Sequence, residues 1–226
     1  MRGKRLAKRV YAWLFPRRSK EQAELAYWRE RKAAEGDLAG EHYAYFYTAH
    51  FGLAREFYEG KRILDIGCGP RGSLQWADMA AERVGMDPLA EEYAKLGAAK
   101  QQMSYVKGYS EAIPFDDGYF DVVCSFNSLD HVANVDRTVS EIGRVTKSQG
   151  LFLLLTDVNH QPTPTEPISF TWDITNRFSG AFELLCEQYY ERVQGGLYAS
   201  ILDNRPYDLG NTAERYGVLS AKFQKR

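Results

Sequence analysis

In Arg62-Ile63-Leu64-Asp65-Ile66-Gly67-Cys68-Gly69-Pro70-Arg71-Gly72 a short apolar strand carries an acid near its end and runs straight into glycines. Glycine has no Cβ, so the chain can take positive φ in a tight strand-to-helix turn and let a ligand come close to the main chain. Gly67 and Gly69 stand where both properties would be used. The pattern therefore places a nucleoside-bearing ligand against the backbone at the top of this strand.

Two ligand classes fit the glycines. Gly67-x-Gly69-x-x-Gly72 satisfies the dinucleotide fingerprint, and Asp87 follows at the spacing where an acid meets ribose hydroxyls. Asp65 weighs the other way. A carboxylate at the end of a buried strand needs a cation or several donors to offset desolvation, and a methionine ammonium would supply one. In a dinucleotide site, by contrast, a pyrophosphate would face an extra negative charge there. Leu64-Asp65-Ile66-Gly67-Cys68-Gly69 thus resembles the first motif of the class I S-adenosylmethionine-dependent methyltransferases.

Outward from this motif, strand and helix patterns alternate, which indicates a parallel sheet flanked by helices. Strands are expected over 62–66, 83–86, 104–107, 120–126 and 151–156, with helices over 72–81, 89–96 and 135–146. The fifth run is apolar on both faces, as suits the centre of a parallel sheet. Beyond Asp157, Pro162, Pro164 and Pro167 mark an irregular connection. Extended runs follow over 182–193, 197–202 and 216–223. Before the motif, a helix is expected over 19–34 and an aromatic-rich one over 41–58, one or two of whose rings would cover a ligand. The domain reading is a basic segment over 1–20 and one methyltransferase-like domain over 21–226, with N-terminal helices at 19–58, a cofactor core at 61–157 and a substrate-side connection with C-terminal strands at 158–226.

The resemblance covers about Lys61 to Asp157 and is closest to the small-molecule methyltransferase group. It implies a Rossmann-like, doubly wound α/β sheet in the order 3-2-1-4-5-7-6, mostly parallel with the seventh strand antiparallel. It also implies S-adenosyl-L-methionine as cofactor. On that likeness Asp65, Gly67, Cys68 and Gly69 hold the methionine part, Asp87 takes the ribose hydroxyls and Pro88 lies beside adenine. Gly108 to Phe115 would line adenine, with Ser110 and Glu111 as contacts, and Asn127 after the fourth strand completes the cofactor set. Tyr109 departs from the pattern, since the family commonly has aspartate there; either Glu111 replaces that contact or Tyr109 stacks or hydrogen-bonds instead. His131-Val132 and the segment Ser140 to Gly150 also match.

Methyl transfer asks mainly for alignment and exclusion of water, with effective molarities corresponding to about 7–11 kcal/mol of barrier. A hydroxyl acceptor also needs a base, which contributes roughly 10²–10⁴-fold. His131 is the first candidate for that base, on its place after strand four and its ordinary pKa; packing or capping of the turn is the equal alternative. His160, Glu166 and Trp172 are candidates for acceptor binding, with Asp173 beside them; for Trp172 and Asp173 packing is the weightier alternative.

The length of 226 residues, 44% of them hydrophobic and 26% charged, suits one globular domain. The net charge of −1 hides an asymmetry: Arg2, Lys4, Arg5, Lys8, Arg9, Arg17, Arg18 and Lys20 meet no acid before residue 21, so the rest is acidic. An acidic body argues against a nucleic-acid partner. The basic start reads either as an amphipathic segment on an anionic membrane surface or as a disordered tail. Its apolar group is too short for a signal peptide or a span, so a cytoplasmic location is expected, with peripheral membrane contact the open alternative. Cys68, Cys124 and Cys186 read as free thiols, and no Cys/His spacing suggests a metal.

Motifs of amino-directed nucleic-acid, cytosine C5 and protein arginine methylation are absent. A small-molecule acceptor is left, read as an oxygen on a glycan- or lipid-linked metabolite. The competing readings are an NAD(P)-dependent oxidoreductase using the same glycines and a non-catalytic S-adenosylmethionine-binding scaffold.

Overall fold

The computed structural model describes residues 16–38 and 40–226. Of the basic segment expected over 1–20, all but the last five positions lie outside the described residues, and those five open a helix, α1 (Pro16–Glu35). No described helix is long and apolar enough to cross a membrane.

Seven strands form one sheet: β1 (Arg62–Ile66), β2 (Glu82–Asp87), β3 (Ser104–Lys107), β4 (Phe120–Phe126), β5 (Thr146–Val158), β6 (Phe182–Glu191) and β7 (Gly217–Lys225). Their order is β3-β2-β1-β4-β5-β7-β6. The pairs from β3 through β5 are parallel, whereas β7 runs antiparallel to both β5 and β6. This is the expected order and orientation. Successive strand residues point to opposite faces. Ile63 and Leu64, Val122 and Val123, and Leu153 and Leu154 accordingly fall in two different core clusters. Both faces are thereby covered, as parallel strands require. Cys68 and Cys124 are buried free thiols and Cys186 is an exposed one.

Four expectations change. Residues 72–81 are not a helix but successive turns, with bonds such as Gln75 N to Gly72 O and Ala77 N to Leu74 O. Leu74, Trp76 and Ala77 are all buried, a set that one helical face cannot present, and Gly72 adopts φ +70. The aromatic run over 41–58 breaks into 3₁₀ turns around a short helix, α2 (Ala44–Tyr47), because Phe46, Tyr47, Phe51 and Tyr58 all insert into one cluster and Gly52 is left-handed. The run 197–202 is a helix: Leu197, Ser200 and Ile201 are buried at helical spacing. The fifth strand is longer than its apolar core, starting at Thr146. The remaining helices are α3 (Ala90–Lys95), α4 (Val135–Val145) and α5 (Leu197–Asp203).

Candidate active site

The carboxyl ends of β1, β2 and β4 open into two adjoining cavities of about 330 and 750 Å³. Gly67, Asn127, His131 and Glu24 line both, so they mark the passage between them. The smaller cavity is bordered by Asp87, Pro88, Ser110, Glu111 and Tyr109; the larger by Asp65, Cys68, Gly69, Tyr43, Tyr47 and Glu166. Helix α1 crosses over both, contributing Lys20 and Glu24 to one side and Tyr27, Trp28, Arg31 and Glu35 to the other.

The turn after β1 is shaped by its glycines. Gly67 takes φ +71 and Gly69 φ +58, and a Cβ on Gly67 would lie 2.3 Å from that of Ser128. Ser128 holds the turn from the other side by donating its hydroxyl to the Ile66 carbonyl at 2.7 Å. A Cβ on Gly69 would press on the Trp28 ring at 3.1 Å, so α1 rests on this turn.

Two carboxylates flank the turn. Asp65 is 2% exposed, and its Oδ2 accepts from the Tyr47 hydroxyl at 2.8 Å and from the Ser73 hydroxyl. Burial pushes its pKa up to about 6 against those two hydrogen bonds. No ion pair reaches it among the described residues. Asp87 is likewise buried; Oδ1 accepts from the Leu89 N–H at 2.9 Å and Oδ2 from the Gly69 N–H at 3.4 Å. Burial, and then the neighbouring Glu24 carboxylate, push its pKa up to about 7. Both are buried acids with too little positive charge around them to offset their desolvation.

The adenine-side residues are tied to protein groups. Ser110 bonds the Thr138 hydroxyl at 2.8 Å. Glu111 Oε1 accepts from the Ala133 and Asn134 N–H groups at 2.8 and 3.2 Å, which makes it a brace for the chain entering α4. The Tyr109 hydroxyl donates to Glu21 on α1 at 2.6 Å.

His131 sits in the passage, buried enough that its pKa falls to about 4, with Lys20 and His160 adding to the effect. Its Nε2 stands 3.9 Å from Asp130 Oδ1 and 3.9 Å from Glu166 Oε1. Lys20 donates its amine to the His131 carbonyl, pinning α1 to this loop. His160 lies behind the site rather than on its wall, its Nε2 3.5 Å from Asp130 Oδ2. Trp172, expected at the acceptor, borders neither cavity: its ring packs edge-on to Tyr189 and Tyr207, beneath Gly217. Asp173 pairs with Thr171 outside the cavities.

The sequence reading omitted Lys20, Glu24, Ser73, Ser128 and the Arg192–Asp157 ion pair of 2.8 Å that borders the larger cavity. One signal was available. Lys20, Glu24, Trp28, Arg31 and Glu35 repeat at helical spacing, a polar and aromatic stripe with no surface reason to be regular.

Residues 64–154 match the model of the methyltransferase domain family. The uncharacterized methyltransferase YcgJ of Bacillus subtilis is 33% identical over 113 residues, 47% of this chain and 43% of that protein. A ubiquinone biosynthesis O-methyltransferase of Chelativorans sp. is 36% identical over 119 residues, 48% of this chain and 46% of that protein. The chain thus spans less than half the length of these curated relatives. The crystal structure of Bacillus subtilis YcgJ superposes with a TM-score of 0.57 at 19% identity, covering 79% of this chain and 98% of that one. The [4+2]-cyclase SpnF gives a TM-score of 0.55 at 19% identity, over 74% and 75% of the two chains. Taken with the acid-flanked glycine turn and the reversed seventh strand, these matches identify residues 64–154 as a methyltransferase domain, set in a chain whose fold is that of the class I S-adenosylmethionine-dependent methyltransferases.

Proposed function

We propose that this chain transfers a methyl group from S-adenosylmethionine to an oxygen of a small-molecule acceptor. The observation that carries the reading is the pair of buried, cation-poor carboxylates, Asp65 and Asp87, at the ends of adjacent strands on either side of a left-handed glycine turn. The residues fit the cofactor. Asp65 would pair with its ammonium, Asp87 would accept from its ribose hydroxyls, and the smaller cavity would take adenine between Pro88 and Ser110. When bound, it supplies an electrophilic methyl carbon on sulfur. A dinucleotide would instead set phosphate charge against Asp65, which speaks against an oxidoreductase.

The acceptor would occupy the larger cavity, where Tyr27, Tyr43, Tyr47, Tyr198 and Phe126 offer ring faces and Arg31, Arg71 and Arg192 offer charge. Rings with a few cations suit an amphipathic acceptor, such as a glycan- or lipid-linked metabolite. The likeness to an O-methyltransferase of ubiquinone biosynthesis supports oxygen as the accepting atom. His131 would take the hydroxyl proton on Nε2. Neutral at ordinary pH because of its lowered pKa, it has a carboxylate on each side to steady the imidazolium that forms. The basic residues before α1 would add attraction to an anionic membrane carrying such an acceptor.

A thermal-shift comparison of S-adenosylhomocysteine with NADH tests the donor assignment: stabilisation by the first alone is expected, and stabilisation by NADH alone would overturn it. Incorporation of labelled methyl into the small-molecule and lipid fractions of a cell extract tests turnover; binding without incorporation would leave a scaffold.

A further inference from the structure

Three polar side chains meet beside the passage without bonding to one another. Asp130 is 2% exposed, yet its Oδ1 has no hydrogen-bond partner, and neither has Nε2 of His131. Glu166 reaches them from the proline-rich connection after β5, and one ligand atom from each of the three lies within 4.8 Å of the others. The separations are 3.9 Å from His131 Nε2 to Asp130 Oδ1 and 3.9 Å from the same nitrogen to Glu166 Oε1.

These distances are informative because they are too long for hydrogen bonds and short enough for the three groups to close on one ion. An imidazole and a carboxylate seeking each other close to about 2.8 Å. Donor atoms that share a zinc-like ion at about 2.0–2.2 Å stand about 3.3–3.6 Å apart in tetrahedral geometry, a few tenths of an ångström below the two separations from His131 Nε2. A buried carboxylate oxygen and a buried imidazole nitrogen left unpaired are each costly, and one cation would satisfy both. The nearby ammonium does not do so, since Lys20 is spent on the His131 carbonyl. Behind the cluster His160 Nε2 lies 3.5 Å from the other oxygen of Asp130, where it is placed to orient that carboxylate.

We propose that Asp130, His131 and Glu166 form a binding site for a first-row divalent cation such as Mn²⁺ or Zn²⁺. Two carboxylates and one imidazole are a mixed oxygen and nitrogen set suited to such ions. Three protein ligands leave coordination positions open, and His131 and Glu166 both border the larger cavity. If the chain acts as proposed above, those positions would hold the acceptor oxygen. His131 Nε2 cannot carry a metal and accept a proton at once, so metal binding would recast it from base to ligand.

The test uses the full-length protein stripped by a chelator and dialysed, titrated calorimetrically with MnCl2 and separately with ZnCl2. Mn²⁺ binding is also followed by electron paramagnetic resonance. Saturable uptake of one ion is expected, weakened at least about tenfold in Glu166→Gln and in His131→Gln and unchanged in Glu59→Gln, far from the cluster. Glu166 lies in a surface connection, so its variant will fold even if an Asp130 variant does not. Unchanged uptake in Glu166→Gln and His131→Gln would place the ion elsewhere and overturn the site. No uptake by the folded wild-type protein would overturn it too, while a normal response to S-adenosylhomocysteine in the same sample would leave the donor assignment standing.

Discussion

The donor side of the cavity rests on strand ends, and the acceptor side rests on loops. Asp65 is the penultimate residue of β1 and Asp87 the last of β2, in registers that put Asp65 opposite Gly85 and Asp87 opposite Lys107. Hydrogen bonds of the sheet therefore fix both carboxylates, and the turn between them is held by Ser128 from β4's end. On the acceptor side, Glu166 hangs from a connection with three prolines, and Lys20 reaches His131 across 111 residues of chain. One half is preorganised by secondary structure, and the other by contacts between distant segments.

The difference predicts separable phenotypes, largest first on the donor side. Asp87→Ala removes a charged acceptor for two hydroxyls, each bond contributing about 1.5–3 kcal/mol, so affinity for S-adenosylhomocysteine should drop at least about a hundredfold. The folded chain should be no less stable near pH 8, because an acid whose pKa is raised by burial opposes folding once ionised. Calorimetry and a melting curve on the same sample check both. Unchanged affinity would break the comparison at its root, since the donor would then not be held by the strand ends.

Gly67→Ala should follow. Left-handed φ costs a non-glycine residue about 1–3 kcal/mol, and the clash with Ser128 adds more. A loss of about 2–4 kcal/mol in urea unfolding is expected, with donor binding impaired. A double variant with Ser128→Gly should recover part of it, because the contact is local.

How much of this could be read beforehand divides along the same line. β3 and β4 have the bounds that their apolar, β-branched runs suggest, and the glycine turn with Asp65 and Asp87 is contiguous enough for chemistry to be inferred from spacing. The sheet order came from likeness to a family, not from periodicity, which carries no information on which strands are neighbours. Helix 197–203 was missed because Leu197, Ser200 and Ile201 keep a helical period only if Ser200 is counted as buried. Its hydroxyl is buried because it donates to the Gly196 carbonyl. Asp130 beside His131 was legible as neighbours, but Glu166 facing them depends on how a proline-rich segment folds back, and nothing local encodes that. Trp172 takes the packing role of its two readings: a large ring near a site is useful either way, and Tyr189, Tyr207 and Gly217 claim it.

A pH series sharpens the contrast next. Asp65 is pushed up to about 6 and Asp87 to about 7 in the ligand-free protein. The folded state then binds more protons than the unfolded chain above about pH 4, so ligand-free stability should fall as pH rises toward 7. Donor binding wants both carboxylates ionised. Affinity for S-adenosylhomocysteine should therefore rise between about pH 5.5 and pH 7.5, by up to about tenfold per unit for each proton that must leave. Glu166→Gln should leave this profile alone, whereas Asp65→Asn should flatten its lower part. A profile that fell with pH would mean that the ligand does not need these carboxylates ionised.

The smallest effect belongs to Tyr109, where the two halves meet through α1. Its hydroxyl donates to Glu21 at 2.6 Å, and the residue is 38% exposed, so Tyr109→Phe removes one solvent-competed hydrogen bond worth about 0.5–1.5 kcal/mol. Donor affinity should weaken only about two- to tenfold, through a looser seat for α1, and the ring's contribution to the adenine side should persist. Glu21→Gln, which keeps an acceptor for the same hydroxyl, should weaken it less. Glu111→Gln gives the contrast: its carboxylate braces the Ala133 and Asn134 N–H groups, so its loss should appear mainly in stability. If Tyr109→Phe instead cost as much as Asp87→Ala, the phenol would be reading the base directly. The departure from aspartate at this position would then be a substitution of one recognition group for another rather than a clasp on the helix above it.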